Sequence, residues 1–391
     1  MNIETWPDTL GPVICVVGAR PNFMKIAPIL RAFAANRPAI PTLLVHTGQH
    51  YDRDMNDKLF EDLRLPRPDI NLEVGSGSHA VQTAEVMRRF EPVIDQYRPS
   101  CVLVVGDVNS TLACTLVGVK KGIPVVHVEA GLRSYDRKMP EEINRVLTDQ
   151  VADLLYTTER SAESNLVREG IDAARVRFVG NVMIDSLLHN REFARAPGGT
   201  LADAGFDPGM IVSAAGYGVV TLHRPSNVDH LENLASLLGV LAEIARQLPL
   251  VFALHPRTRA NIERFDLQHL IADPRLILLP PQGYLEMLGL MAGARIVLTD
   301  SGGLQEETTA LGVPCLTLRE NTERPITVEQ GTNTMVGRNI AEIRRHADEI
   351  LAGRGKQGRL PELWDGHSAE RVAADLASWL LNRQTDRAPG A

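Results

Sequence analysis

The sequence predicts an α/β protein built from two doubly wound parallel-sheet domains, with the ligand held in a cleft between them. Three observations predict this. Short apolar runs rich in Val, Ile and Leu alternate with helix-like stretches along most of the chain. The runs are continuously apolar, as strands covered on both faces must be. The alternation fades between Ala194 and Gly216, where Gly, Pro and Ala accumulate, and then starts again. At 391 residues the chain is also long for a single core. The expected domains are 1–193 and 194–391, with the last helix packing back on the first domain.

The elements follow in order. Val13–Val17 is the first strand, and Gly18-Ala19-Arg20-Pro21-Asn22 leads into a helix carrying Lys25. A nicotinamide-binding turn would place three spaced glycines here, and only Gly18 is present. Arg20 and Lys25 are instead suited to an anion at the helix start. Thr42–His46 is the second strand, running into Thr47-Gly48-Gln49-His50 and a helix expected from Tyr51 to Leu63. Gly75-Ser76-Gly77-Ser78 reads as a loop and His79–Tyr97 as a helix. Cys101–Val105 and Pro124–Val128 are buried strands joined by a helix from Ser110 to Lys121. A right-handed crossover makes these two strands parallel neighbours and puts Asp107 and Glu129 at one sheet edge, where open α/β sheets bind ligands. Met139-Pro140-Glu141-Glu142 opens another helix, with Pro at its start and acids in its first turn. Leu154–Thr157 and Val176–Val179 complete the first set of strands.

In the second half, strands are expected at Gly218–Leu222, Leu250–Leu254, Leu276–Leu279, Ile296–Thr299 and Pro314–Leu318. Between the first two, Leu231, Leu234, Leu238, Leu241 and Ile244 form a core-facing stripe. Asp300-Ser301-Gly302-Gly303 follows a strand and opens a helix. Small residues, a hydroxyl and a helix dipole there favour an anion, and a Glu one or two turns on can accept from ribose hydroxyls. His223-Arg224, His255-Pro256-Arg257 and Arg324 fall at or beyond strand ends, as a nucleotide diphosphate requires. Helices are expected at Ile340–Leu351 and Ser368–Leu381.

Composition narrows the function. With 48 acidic and 41 basic side chains the formal charge is −7, and no basic stripe marks a nucleic-acid surface. No apolar run approaches the roughly 20 residues of a membrane span, and Met1–Leu10 lacks a signal core, so a cytoplasmic location is expected. The four cysteines are scattered without paired spacing and read as buried thiols. Alternation would put His127 and Glu129 on one strand face, but no further close-spaced ligands accompany them, and no metal is expected.

Together these residues resemble the non-hydrolysing UDP-N-acetylglucosamine 2-epimerases over nearly the whole chain. The specific matches are Gly18-Ala19-Arg20-Pro21, His127 through Arg133, Pro140-Glu141-Glu142 with Asn144-Arg145, Asp300 to Glu307, and Thr322-Glu323-Arg324-Pro325. The resemblance implies a glycosyltransferase-B-like pair of Rossmann-type domains, usually a homodimer, serving polysaccharide biosynthesis. It implies a UDP-hexosamine substrate and no metal or nicotinamide. By the same likeness Ser301, Gly302, Gly303, Glu307, His255 and Arg324 hold UDP, with Glu307 at the ribose. Arg20, Lys25, Asp107, Glu129, Glu141, Arg145 and His223 surround the diphosphate and sugar.

The implied chemistry suits these residue types. Carbon 2 of the sugar is not adjacent to a carbonyl, so elimination of UDP across the bond from carbon 1 to carbon 2 replaces simple enolisation. Re-addition to the glycal then gives the manno epimer. Acid–base groups (Asp107, Glu129, Glu141, His223) and cations facing a leaving diphosphate (Arg20, Lys25, Arg324) are what this needs. Which carboxylate is base and which is acid stays open. As structural alternatives, Asp107 caps its helix, and Glu141 with Arg145 forms an i,i+4 pair. Ala19, Asn22, Leu222, Pro225 and Ser226 depart from the common family pattern while His223, Arg224 and Asn227 keep it, leaving the accepted sugar substituents open. Met287 replaces an aromatic near the base. Tyr51-Asp52 after His50 argues against allosteric activation by substrate. The rival readings are a UDP-sugar glycosyltransferase of the same architecture, an epimerase of a modified UDP-hexosamine, and a non-catalytic nucleotide-sugar binder.

Overall fold

A computed structural model of the chain describes residues 5–7, 9–49, 60–211 and 216–387. It divides into two compact units, Met1–His189 with Glu362–Ala391, and Asn190–Pro361. The break falls at 189/190 rather than 193/194, and the chain returns to the first unit at Glu362.

The first unit holds seven parallel strands: β1 (Val13–Val17), β2 (Thr42–His46), β3 (Ile70–Asn71), β4 (Cys101–Val105), β5 (Val125–Ala130), β6 (Leu154–Thr157) and β7 (Val176–Phe178). Their order is β3-β2-β1-β4-β5-β6-β7. The chain winds outward from β1 in one direction and from β4 in the other, so the switch point lies between β1 and β4. Every residue of β1, β4, β5 and β6 is buried, which is why β1 and β4 read as unbroken apolar runs; in β5 the alternating His127 and Glu129 are buried as well. Helix Ser368–Arg387 packs on helix Arg20–Ala35 of the same unit. Asp185 accepts the Ala369 amide at 2.6 Å and so caps that last helix from another element.

The second unit repeats the plan with β8 (Gly218–Thr221), β9 (Leu250–Ala253), β10 (Leu276–Leu279), β11 (Ile296–Thr299), β12 (Cys315–Thr317) and β13 (Asn333–Met335), ordered β10-β9-β8-β11-β12-β13 and all parallel. Its switch point lies between β8 and β11. Helix Leu231–Ala245 buries Leu234, Leu237, Leu238, Leu241 and Ile244 in this core. Leu231, expected in the same stripe, is 48% exposed at the helix start.

The edge strands β3 and β13 lie outside the sequence reading because, unlike the similarly short β7 and β12, Ile70-Asn71 and Asn333-Thr334-Met335 do not sit in an apolar run. The stretch Ala194–Gly216 is not a tether where it is described. Pro197–Asp203 is helical, Leu201 is fully buried, and the Arg195 amide bonds the Leu285 carbonyl at 3.1 Å. Of the helix expected at Tyr51–Leu63, residues 51–59 lie outside the described residues, as does His50; residues 60–62 are helical. The four cysteines are buried free thiols, and burial lifts that of Cys315 to about 11. Among the described residues, no helix is long and apolar enough to cross a membrane.

Candidate active site

In the first unit the expected acids gather at the strand ends beside the switch point. β4 and β5 are paired neighbours, so Asp107 and Glu129 leave the sheet side by side. Asp107 does not cap the next helix; its cap residue is Val108, with no side-chain bond. Asp107 Oδ2 instead faces Arg145 at 3.5 Å, while Glu129 Oε1 receives Lys25 Nζ at 2.7 Å. Lys25 and Glu129 are 3% and 2% exposed, so they form an ion pair shielded from water. Gly106 makes this possible: its φ is +66°, and a Cβ there would lie 2.7 Å from Lys25 Nζ.

Glu129 departs from regular strand geometry. The pairing of β5 with β6 shifts register between Val128 and Ala130, and Glu129 sits at φ +74°. A non-glycine residue in the left-handed region costs about 1–3 kcal/mol and is held there by its surroundings. The bulge also ends the alternation that would align Glu129 with His127. His127 bonds Asp149 and the Gly106 carbonyl, whereas Glu129 bonds Lys25.

Helix Pro140–Val151 brings in the remaining groups. Arg145 is 2% exposed and reaches Asp107 and Glu142, the latter at 3.4 Å, so its partner is one residue along from the Glu141 suggested by i,i+4 spacing. Its Nε and Nη1 make no hydrogen bond, leaving buried donors that an anionic or hydroxyl-bearing ligand would satisfy. Glu142 is a structural acid, accepting the amides of Ser134 and Tyr135 at 2.9 Å each. Glu141 lines a cavity of about 290 Å³ with Asn144, Asn109, His79, Gln82 and Gln49. Arg20 is exposed at the first position of its helix. Asn22 was not singled out for a role, yet it organises this turn: Oδ1 accepts the Gly18 and Ala19 amides, and Nδ2 bonds the Val105 carbonyl at 2.9 Å. Its position four residues after Gly18 is the signal that could have identified it.

The second unit builds its site at its own switch point. Asp300, at the end of β11, is fully buried and accepts the backbone amides of His223 and Arg224, Asn227 Nδ2 at 3.1 Å and His223 Nδ1 at 2.9 Å. Burial opposes its charge, but the His223 imidazole and these amides outweigh that and hold its carboxyl below the ordinary value. The carboxylate fixes the proton of His223 on Nδ1 and leaves Nε2 for a ligand. His255, at the end of neighbouring β9, has its ring centroid 5.6 Å from that of His223. Its Nδ1 accepts the Arg257 amide at 3.2 Å, which leaves its own proton on Nε2. Partial enclosure and the adjacent His223 lower its pKa, so it stays neutral. Asp300 was read only as part of the glycine motif, since a pairing across the sheet has no local pattern.

Ser301 precedes helix Gly302–Leu311 but makes no side-chain capping bond, so the helix start is not closed by its hydroxyl. Gly302 gives room to neighbours: a Cβ there would lie 2.7 Å from Glu323 Oε1 and 2.8 Å from Arg324 Nη1. Gly303 follows in the first turn. Arg324 is 7% exposed and engaged, with Nε 2.9 Å from Glu306 and Nη1 2.5 Å from Glu323. Its charge is therefore already balanced by two carboxylates. Glu307 is 3% exposed and lies near Tyr284; burial first, then the Glu307 charge, raise the tyrosine pKa. Met287 packs half-buried against the core beneath.

A family model described as UDP-N-acetylglucosamine 2-epimerase matches residues 33–377. This chain belongs to that family. The Methanocaldococcus jannaschii UDP-N-acetylglucosamine 2-epimerase is 41% identical over 364 residues, covering 92% of this chain and 97% of that protein. The Pseudomonas aeruginosa UDP-2,3-diacetamido-2,3-dideoxy-D-glucuronate 2-epimerase is 41% identical over 368 residues, covering 93% and 99%. A crystal structure of the M. jannaschii enzyme in complex with UDP-GlcNAc and UDP shares the fold, with TM-score 0.83 and 40% identity over 94% of this chain and 99% of that one. The two parallel-sheet units are thus those of a glycosyltransferase-B-like epimerase.

Proposed function

We propose that the chain interconverts UDP-N-acetylglucosamine and UDP-N-acetylmannosamine without releasing the free sugar. Family membership supports the activity, and one geometric observation carries the chemistry: two acids leave adjacent strands at the switch point, each facing its own buried cation. A carboxylate whose charge is held by Lys25 or Arg145 can take the carbon 2 proton without a large reorganisation. As that proton leaves, its electron pair forms the bond between carbons 1 and 2, and the carbon 1–oxygen pair departs with UDP. A proton returns to the other face of carbon 2 while UDP adds back to carbon 1. Arg20 and Arg145 offer positive charge to the diphosphate or sugar oxygens. In the second unit, His223 with its Asp300-fixed tautomer and His255 as a neutral donor are assigned to the diphosphate. Ser301, Gly302 and Gly303 are assigned to the same group through the open helix start, with Glu307 at the ribose. Arg324 is assigned to hold the Gly302 turn beside its two acids.

The experiment is incubation with UDP-N-acetylglucosamine in deuterated water, followed by NMR. Deuterium at carbon 2 with appearance of the manno epimer is expected. Absence of exchange without an acceptor would leave the glycosyltransferase reading, and free N-acetylmannosamine with UDP would mark a hydrolase. A second reading has a specific support: identity to the P. aeruginosa enzyme equals that to the M. jannaschii enzyme, at 41%. UDP-2,3-diacetamido-2,3-dideoxy-D-glucuronate therefore belongs beside UDP-N-acetylglucosamine in the assay, and the ratio of kcat/KM values decides.

We also propose a homodimer acting in the cytoplasm. Helix Pro140–Val151 turns its polar residues Glu142, Asn144, Arg145, Thr148 and Asp149 inward and leaves Ile143, Leu147 and Val151 about 40% exposed, at spacing i, i+4, i+8. Val119 is exposed on helix Asn109–Lys120, which packs beside it. A helix that gives its buried face to the site has to cover its apolar face elsewhere, and a second copy supplies that cover.

A further inference from the structure

His127 is fully buried in β5, and the proposed reaction gives it no task. Its Nδ1 lies 2.7 Å from Asp149 Oδ1, and its Nε2 lies 2.8 Å from the carbonyl oxygen of Gly106. A carbonyl oxygen only accepts. Asp149 is ionised, because its Oδ2 meets the Arg133 guanidinium and accepts the Gly131 amide, which leaves Oδ1 as an acceptor for the ring. Both ring nitrogens therefore donate, which only an imidazolium can do.

The groups around this ring balance its charge. Asp149 Oδ2 meets Arg133 Nη2 at 2.8 Å, and Arg133 continues to Glu169 through Nε at 2.8 Å and Nη2 at 2.7 Å. Two cations and two carboxylates thus form one closed set. Asp149 Oδ2 also accepts the Gly131 amide at 3.0 Å. The imidazolium consequently ties Gly106, the residue before Asp107, to the acid that holds Gly131, two residues after Glu129. Gly106 and Gly131 take positive φ, at +66° and +81°, as glycine does freely, whereas Glu129 between them in the clamp holds φ +74° as a non-glycine and is the position that needs its surroundings to keep it there.

We infer that His127 is a positioning residue: as a doubly donating imidazolium it fixes the exits of β4 and β5 against each other, and so sets the placement of Asp107 relative to Glu129. The inference rests on the epimerase reading. A neutral imidazole can donate to only one of the two acceptors and places its own acceptor nitrogen against the other. A displacement near 1 Å between reacting groups costs on the order of 100-fold in rate.

The test has two arms on the full-length chain. The first is nitrogen-15 NMR of the wild-type imidazoles under the conditions of the activity assay. Two protonated nitrogens on His127 are expected, and a single neutral tautomer overturns the inference. The second compares His127→Gln with wild type in epimerisation and UDP binding. A fall in kcat of roughly 100-fold with UDP affinity changed less than about twofold is expected. A folded variant retaining kcat overturns the inference. If His127→Gln does not fold, the first arm alone decides. A wild-type chain that does not epimerise sinks the functional reading before any variant is made, and the NMR arm distinguishes that failure from a failure of the clamp.

Discussion

Replacing Lys25 by Met is the most demanding check on the buried pair. Met matches the length of the lysine stem, so the charge rather than the bulk of the side chain is what is removed. Lys25 and Glu129 are within 2.7 Å and both at most 3% exposed, so the variant leaves a carboxylate inside the protein without this cation. Breaking a buried pair from one side costs about 3–5 kcal/mol, whereas removing both charges is often close to neutral. Lys25→Met is therefore expected to lower unfolding free energy by that amount, and Lys25→Met/Glu129→Gln to recover about half or more of it. Urea unfolding followed by circular dichroism measures the cycle, with a coupling energy of at least ~2 kcal/mol expected for two contacting charges. Lys25→Met, the single Glu129→Gln that completes the cycle and the double variant should all lose epimerase activity, because the double variant restores charge balance but not the acid. A single variant within ~0.5 kcal/mol of wild type, or additive effects in the double, would refute the claim that the pair is a closed ion pair.

The remaining expectations concern other parts of the molecule. Glu307→Ala should weaken UDP binding, measured by calorimetry, by more than it lowers kcat; equal affinity in both proteins would remove the ribose from that position. Asp185→Asn keeps an N-cap while removing a carboxyl whose pKa burial raises. Between the ordinary value near ~4 and the raised folded value, the native state binds more protons than the unfolded one, so the wild type loses stability as pH rises through that window. The Asn variant should accordingly gain Tm relative to wild type between pH 3.5 and 7, and a difference independent of pH would count against the raised pKa. Leu147→Arg should turn a dimer into a monomer in light scattering if the exposed stripe of helix Pro140–Val151 is the interface; an unchanged mass would move the interface elsewhere.

Most of what can be read from period and composition is local. Runs dominated by apolar residues mark β1, β4, β5 and β6 because strands covered on both faces admit polar groups only where they are paired, as His127 and Glu129 are, and the residues that end them are the ones later found beside the switch points. Asp107, Glu129, His223 and Ser301 could be named from that logic together with the family likeness. The partners could not. Lys25 and Glu129 are 104 residues apart and Asp300 lies 77 residues from His223, so their pairing depends on which strands are neighbours. A local hydrophobic pattern is the same for any strand order. For the same reason Arg324 reads as a free cation in sequence, although folding places it between Glu306 and Glu323. The bulge at Glu129 likewise follows from how β5 meets β6 rather than from its own residues. The sequence by itself determined which segments are buried strands and what chemistry stands at their ends. Only the tertiary structure decided which charges are balanced, which proton each histidine keeps, and which acids face a cation, because those depend on distances set across the sheet.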